Sequence, residues 1–180
     1  MQIEELDAAG ALDALDDLAA MLKACVDAGA SIGFVQPFTV EEARGFWRDR
    51  VFPAVARGER RLLVARAEGR VLGTVQLDLA TMPNQRHRGE VSKLMVHPQG
   101  RRRGIARALM QAIEPLAAEA GRWLLTLDTR TGDTAEPLYL SMGFVAAGAI
   151  PFYAHAPEEE RYDSTTYMFK LLELPIALRA

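Results

Sequence analysis

Glu90-Val91-Ser92-Lys93-Leu94-Met95-Val96-His97-Pro98-Gln99-Gly100-Arg101-Arg102-Arg103-Gly104-Ile105-Ala106 reads as a strand, a tight turn and the start of a helix. Val91 to Val96 is strand-like. From Gly104 to about Ala120, Ile105, Leu109, Ala112, Ile113 and Leu116 recur at helical spacing. A turn of this kind presents unpaired backbone N–H groups at the positive end of a helix dipole, where anions bind. Gly104 and Ala106 leave room for a phosphate to approach the backbone. Arg101, Arg102 and Arg103 can add charge-assisted bonds to it. Taken alone, an arginine run with one glycine also fits a solvated basic loop before an ordinary helix. Two rival phosphate loops are excluded: the chain has neither G-x-x-x-x-G-K-[ST] nor G-x-G-x-x-G after a strand.

Upstream of this stretch the pattern is helical, then strand-like. Leu12, Leu15, Leu18, Ala19, Leu22 and Val26 define a helix over 11–28, ended by Gly29 and Gly33. Thr39 opens another with Glu42 as its capping-box partner, and Pro53 kinks or splits it before Gly58. Arg61–Ala67 and Arg70–Leu79 are strands joined by a tight Glu68-Gly69 hairpin. Downstream, Trp123–Thr129, with Trp123, Leu124, Leu125 and Leu127 as its apolar residues, is expected to be a strand buried on both faces. Ala135–Met142 is a short helix ended by Gly143, and Phe144–Ile150 and Thr165–Leu172 are two more strands. Helices, hairpin, strand, helix, strand, helix, strand, strand is an α/β chain of the α+β mixed kind. Its architecture is a central mixed, mostly antiparallel sheet flanked by helices on both faces. With no repeat or linker, residues 1–180 read as a single domain.

Composition narrows the function. The 21 basic and 24 acidic residues give a net charge of −3, which argues against a general nucleic-acid binder. Against this acidic background the Arg101–Arg103 run stands out. Cys25 is the only cysteine, so no internal disulfide can form and a reducing compartment is the simpler reading. The N-terminus lacks a basic, then apolar, leader, and no apolar run is long enough to span a membrane. The expectation is a cytoplasmic protein that meets no membrane. His87, His97 and His155 have no ligand spacing, so no metal site is expected.

A second block completes the pattern. Ala135-Glu136-Pro137-Leu138-Tyr139 with Gly143-Phe144 has the form A-x-x-L-Y-x-x-x-G-F, downstream of the R-x-x-G-x-A turn. Together the two blocks resemble the GNAT acetyltransferases over roughly residues 60–172, with the GNAT acyltransferase fold as the expected architecture. Gly29-Ala30-Ser31-Ile32-Gly33-Phe34, Glu90–Val96 and Leu127-Asp128-Thr129 are similar to the tabtoxin-resistance acetyltransferase subfamily. The resemblance implies an acetyl-CoA-dependent N-acetyltransferase that moves an acetyl group to a primary amine of a small molecule. It implies direct attack in a ternary complex, without a metal. By resemblance, the backbone of Leu94, Met95 and Val96 pairs with the pantetheine arm. Arg101, Arg102, Arg103, Gly104, Ile105, Ala106 and Arg107 hold the pyrophosphate.

Chemistry demands two further groups. An alkyl amine with a pKa near 10.4 must lose a proton before it attacks. Asp128, which ends an apolar strand, and Glu90, which opens one, are the candidate bases. Each also fits a structural role, Asp128 as a cap for the following turn and Glu90 as a solvated strand end. The departing thiolate takes a proton, and the resemblance puts Tyr139 at the general-acid position; a buried core tyrosine is the alternative. Many relatives carry an asparagine seven residues before that tyrosine, where this chain has Gly132. The acceptor is expected near Gly29–Phe38, Pro83–Arg88 and Pro151–Asp163, with Phe152, Tyr153 and Tyr162 as aromatic walls and Glu158, Glu159 and Glu160 as an attraction for a cation. Three other readings stay open: a non-catalytic acyl-CoA-binding module, a protein N-terminal or lysine acetyltransferase, and a nucleic-acid contact through the arginines. A homodimer is among the assemblies the resemblance allows.

Overall fold

A computed structural model describes residues 1–173. Seven strands form one sheet in the order β1-β2-β3-β4-β5-β7-β6. They are β1 (Gln2–Glu5), β2 (Arg60–Ala67), β3 (Arg70–Asp78), β4 (Arg88–Val96), β5 (Leu124–Arg130), β6 (Val145–His155) and β7 (Tyr162–Leu171). Every neighbouring pair is antiparallel except β4 and β5. Parallel strands need a long crossover, and α5 (Ile105–Glu119) supplies it. The mixed, mostly antiparallel sheet matches the reading of the sequence. Strand β1 is an addition: four residues with no run of apolar alternation carry too little signal to be read.

The β2–β3 hairpin turns on Glu68 and Gly69, both at positive φ (55° and 75°), as a two-residue turn that follows the strand twist requires. Helices α1 (Ala8–Asp13), α2 (Leu15–Asp27), α3 (Val40–Phe46) and α4 (Phe52–Ala56) cover one face. Thr39 caps α3 as its sequence predicts: its Oγ1 accepts from Glu42 N at 3.2 Å, and its own N–H donates to Glu42 Oε2 at 2.7 Å. A π turn over Trp47–Val51 carries α3 into α4, with Pro53 inside the first turn of α4. The helix expected from Thr39 to Gly58 is therefore continuous in path but not in hydrogen-bond pattern.

Alternation along the strands divides the core. Leu62, Val64, Val71 and Met95 point towards α1–α4. Leu63, Ala65, Val75, Leu77, Val91, Leu125 and Leu127 point towards α5, joined by Tyr139 from α6 (Ala135–Ser141) and by Phe144. The sheet is thus helix-covered on both faces. Strand β5 departs from expectation. Only Leu125 and Leu127 are buried; Thr126 is half-buried and Asp128 exposed. On the α1–α4 side the helices stop short of β5, so its polar residues face an open space.

Two irregularities make that space. First, β4 and β5 pair only at Arg88 with Leu124, Gly89 with Leu125 and Glu90 with Thr126. Beyond them β4 runs on to Val96 and β5 to Arg130 unpaired with each other, and the sheet splits between them. Second, β4 bulges. Thr74 faces Met95 and Gln76 faces Ser92, so β4 carries one extra residue, and Lys93 there has φ 51°. Among the described residues no helix is long and apolar enough to cross a membrane.

Candidate active site

The split opens into a cavity of about 1010 Å³. Its walls are the inner edge of β4 from Val91 to Val96, the turn and first residues of α5, the end of β5, the α6 residues Leu138 and Tyr139, and the 28–33 loop after α2. Unpaired strand edges keep their backbone N–H and C=O groups free. The edge of β4 beyond Glu90 is such a row, apart from Val96 O, which the Cys25 thiol approaches, and it belongs to the predicted Leu94, Met95 and Val96.

The turn that follows is built for an anion. Gly104 is the N-cap of α5 in a left-handed conformation (φ 79°), and Arg102 before it is also left-handed (φ 61°). Such a conformation in a non-glycine residue is costly and is tolerated where the backbone has a task. The helix has no side-chain cap and no acidic residue in its first turn. The N–H groups of Ile105, Ala106 and Arg107 therefore face the cavity without a helical acceptor, at the positive end of a 15-residue helix. Gly73 explains how the helix comes so close. A Cβ there would lie 2.6 Å from Ile105 Cγ2 and 3.2 Å from Met95 O. This set of free strand amides, helix amides and guanidinium groups fits a pantetheine arm ending in a pyrophosphate. Arg101, Arg102 and Arg107 line the cavity; Arg103 does not, and its guanidinium lies 3.7 Å from Glu68.

Tyr139 lies across the cavity, 6% exposed, and its hydroxyl has no hydrogen-bond partner among the described residues. Burial first, then the charges of Asp128 and Asp133, push its phenol well above the usual tyrosine range. It stays protonated at neutral pH. Asp128 is in the same wall. Its Oδ2 accepts from Thr165 Oγ1 at 3.1 Å, and Oδ1 has no partner among the described residues. Glu90 is outside this lining and half-exposed, with Arg88 NH1 3.2 Å from its Oε2. Gly132 is left-handed and donates its N–H to Glu136 Oε2 at 2.7 Å; the wall beside it is made by Asp133, Thr134 and Ala135.

Lys93 was not singled out by the sequence reading. A lysine inside a strand passes for a solvated side chain; the bulge turns it inward. Its Nζ donates to Ile32 O at 2.9 Å and sits 5.8 Å from the rings of Phe34 and Phe46. Burial lowers its pKa, and nearby Asp128 raises it. Cys25 was also missed as a wall residue. Its thiol is 3.5 Å from Val96 O, and burial pushes its pKa up to about 11. Of the expected acceptor segments, the 29–33 stretch, Tyr153, Ala154 and Asp163 line the cavity. Phe152 and Tyr162 are exposed, and Pro83–Arg88 lies outside. The Glu158 loop is tied down, with Gln36 N donating to Pro157 O at 2.9 Å. Among the described residues no cluster of His, Cys, Asp and Glu could hold a metal.

The acetyltransferase (GNAT) domain model matches residues 58–146. An uncharacterized N-acetyltransferase from the hisH-hisA intergenic region of Azospirillum brasilense is 31% identical over 125 residues, 68% of this chain and 72% of that one. Two solved structures share the fold. A ribosomal-protein-alanine N-acetyltransferase from Brucella melitensis has a TM-score of 0.75 at 23% identity, over 96% of this chain and 100% of that one. An acetyltransferase from Salmonella typhimurium, solved with its cofactor acetyl-CoA, has a TM-score of 0.76 at 20% identity, over 100% of this chain and 98% of that one. A sheet split beside an uncapped helix N-terminus, a matching domain model and a relative of this similarity lead to one conclusion: the chain belongs to the GNAT acetyltransferase family and is an N-acetyltransferase.

Proposed function

We propose that this protein transfers an acetyl group from acetyl-CoA to the primary amine of a small molecule, by direct attack within a ternary complex. One observation carries the reading. The split between β4 and β5 gathers the free edge of Leu94–Val96, the first-turn amides of α5, Tyr139 and Asp128 around one cavity. Acetyl-CoA brings the activated thioester; the chain supplies the rest. The β4 edge orients the pantetheine arm, and the Arg101–Arg107 turn holds the pyrophosphate. Arg103 contributes from the outer side of that turn.

Asp128 Oδ1 takes a proton from the incoming ammonium, directly or through a water. The neutral amine nitrogen then forms the new N–C bond as the C–S bond breaks, and the second proton that the nitrogen sheds ends on the departing thiolate, which leaves as the thiol of coenzyme A. Tyr139 gives its proton, or a strong hydrogen bond, to the leaving sulfur. A thiolate with a pKa near 8.5 is a weaker base than a buried phenolate, so stabilisation by the hydrogen bond is the larger part of this role. Glu90 sits on the same face of the sheet as Asp128, next to Thr126, and acts as a second acceptor for protons leaving the site. The 28–33 loop and the β6–β7 end close the acceptor side.

The test is to mix the protein with acetyl-CoA and a library of small amines, with an alanine-terminated peptide included, and follow thiol release. Turnover on one or more small amines is expected. Stabilisation by coenzyme A with no turnover on any amine would leave an acyl-CoA-binding module in its place. Turnover confined to the peptide would make the acceptor a protein.

A further inference from the structure

Strand register places Leu62, Gln76 and Ser92 abreast, and Arg60, Asp78 and Glu90 beside them, on the face that carries α1–α4. Past Phe46 this face turns polar, with Arg60, Gln76, Asp78 and Ser92 in neighbouring positions. A second cavity of about 430 Å³ lies there, lined by Phe46, Arg50, Arg60, Gln76, Ser92 and Lys93. Three of those six are cations, and no carboxylate is among them. Ser92 and Lys93 also line the larger cavity, so the two spaces meet at the β4 bulge.

The donors outnumber the acceptors. Gln76 is fully buried; its Oε1 accepts from Arg60 NH1 at 3.2 Å, and its Nε2 has no acceptor among the described residues. The Arg60 Nε is likewise buried without one. Arg50 is exposed and makes no ion pair or hydrogen bond among the described residues. Asp78, 2.5 Å from Arg60, offsets one charge, Asp128 attracts Lys93 from the larger cavity, and Glu90 is offset by Arg88 at 3.2 Å. That leaves the equivalent of one uncompensated positive charge beside several unused N–H groups. Buried donors without acceptors are costly, and a planar monoanion accepting from an arginine fork removes the cost.

Building on the acetyl-transfer reading above, we propose that the acceptor carries a carboxylate as well as an amine, as an amino acid does. The carboxylate docks on Arg50, Arg60, Gln76 and Lys93, and the amine then points across the bulge towards Asp128. The subsite selects among amines.

Amino acids assayed against their decarboxylated counterparts, leucine against isoamylamine and phenylalanine against phenethylamine, give the test. The carboxylated member is expected to have a kcat/KM at least tenfold higher. Arg50→Ala should shrink that ratio about tenfold, mainly through KM; Lys93→Met should do the same. Arg50 is exposed and unpartnered, so its variant folds. Equal or better turnover of the decarboxylated amines, or a ratio unmoved by Arg50→Ala, overturns the proposal. A second measurement separates it from the transfer reading. With coenzyme A saturating, so that the phosphate turn is filled, sodium acetate replaces sodium chloride at fixed ionic strength. Acetate should raise the Tm of the wild type and not of Arg50→Ala. Equal shifts in both proteins overturn the anion site, whatever the library assay yields.

Discussion

Tyr139 and Asp128 are 11 residues apart in the chain and meet across one cavity. Their roles can be separated. Tyr139→Phe removes only the hydroxyl, which has no partner among the described residues, so folding and coenzyme A affinity should hold. If Tyr139 assists the leaving sulfur, kcat should fall by about 10²-fold or more. Steady-state kinetics beside calorimetric binding of coenzyme A checks this, and equal turnover by both proteins ends the assignment. Asp128→Asn keeps a hydrogen bond with Thr165 but cannot take a proton. Its kcat should drop at neutral pH and recover in part as pH approaches the amine's own pKa, because more of the amine is then already neutral. A loss independent of pH would mean that Asp128 only holds Thr165 in place.

At the scale of the element, α5 is the part whose position matters most. It is held by its apolar face, with Ile105, Leu109, Met110 and Ile113 all buried, and it approaches β3 closely only because Gly73 has no side chain. Gly73→Ala would press a methyl group on Ile105 and Leu109 at 2.6 and 3.1 Å. The expected cost is about 1–3 kcal/mol of stability, read by urea denaturation, with weaker coenzyme A binding because the first-turn amides shift with the helix. Gly104 differs in kind. Nothing would crowd a Cβ there, but its φ of 79° disfavours one. Gly104→Ala should therefore cost about 1–2 kcal/mol through backbone strain alone. A Gly104→Ala protein as stable as the wild type would show that the turn relaxes without its left-handed cap.

For the molecule as a whole, stability should fall in alkali. Cys25 is buried on α2 at the heart of one core, and its thiol rises from 9.0 unfolded to about 11 folded. Below pH 9 the thiol is protonated in both states and no stability is lost. As pH rises from 9 towards 11 only the unfolded chain releases the proton, so about 2–3 kcal/mol should be lost across that window. Tyr139, raised in the same sense, adds to the loss above pH 10. Chemical denaturation at pH 8, 9.5 and 11 measures the slope. Cys25→Ala should flatten its first part, and a slope unchanged in that variant would place the cause elsewhere.

Much of this was legible in the chain because local rules carry it. The two-residue Glu68-Gly69 turn, the Thr39–Glu42 capping box, the apolar stripe of α5 and the Arg101–Ala106 turn are set by neighbours a few residues apart, and each forms where its sequence predicts. The blocks around Ala106 and Tyr139 likewise pointed to the family. What the tertiary structure alone decided is where strands part company and which way irregular residues face. The split beyond Glu90 and Thr126 lies where the β4–β5 pairing stops, and residues of α5 and α6 line the gap that it leaves. The inward turn of Lys93 depends on one extra residue counted against β3. The meeting of Arg50, Arg60, Gln76 and Lys93 depends on strand register between segments up to 43 residues apart. Register and bulges are settled by which packing buries the most apolar surface across the whole sheet, and no local window of sequence contains that comparison.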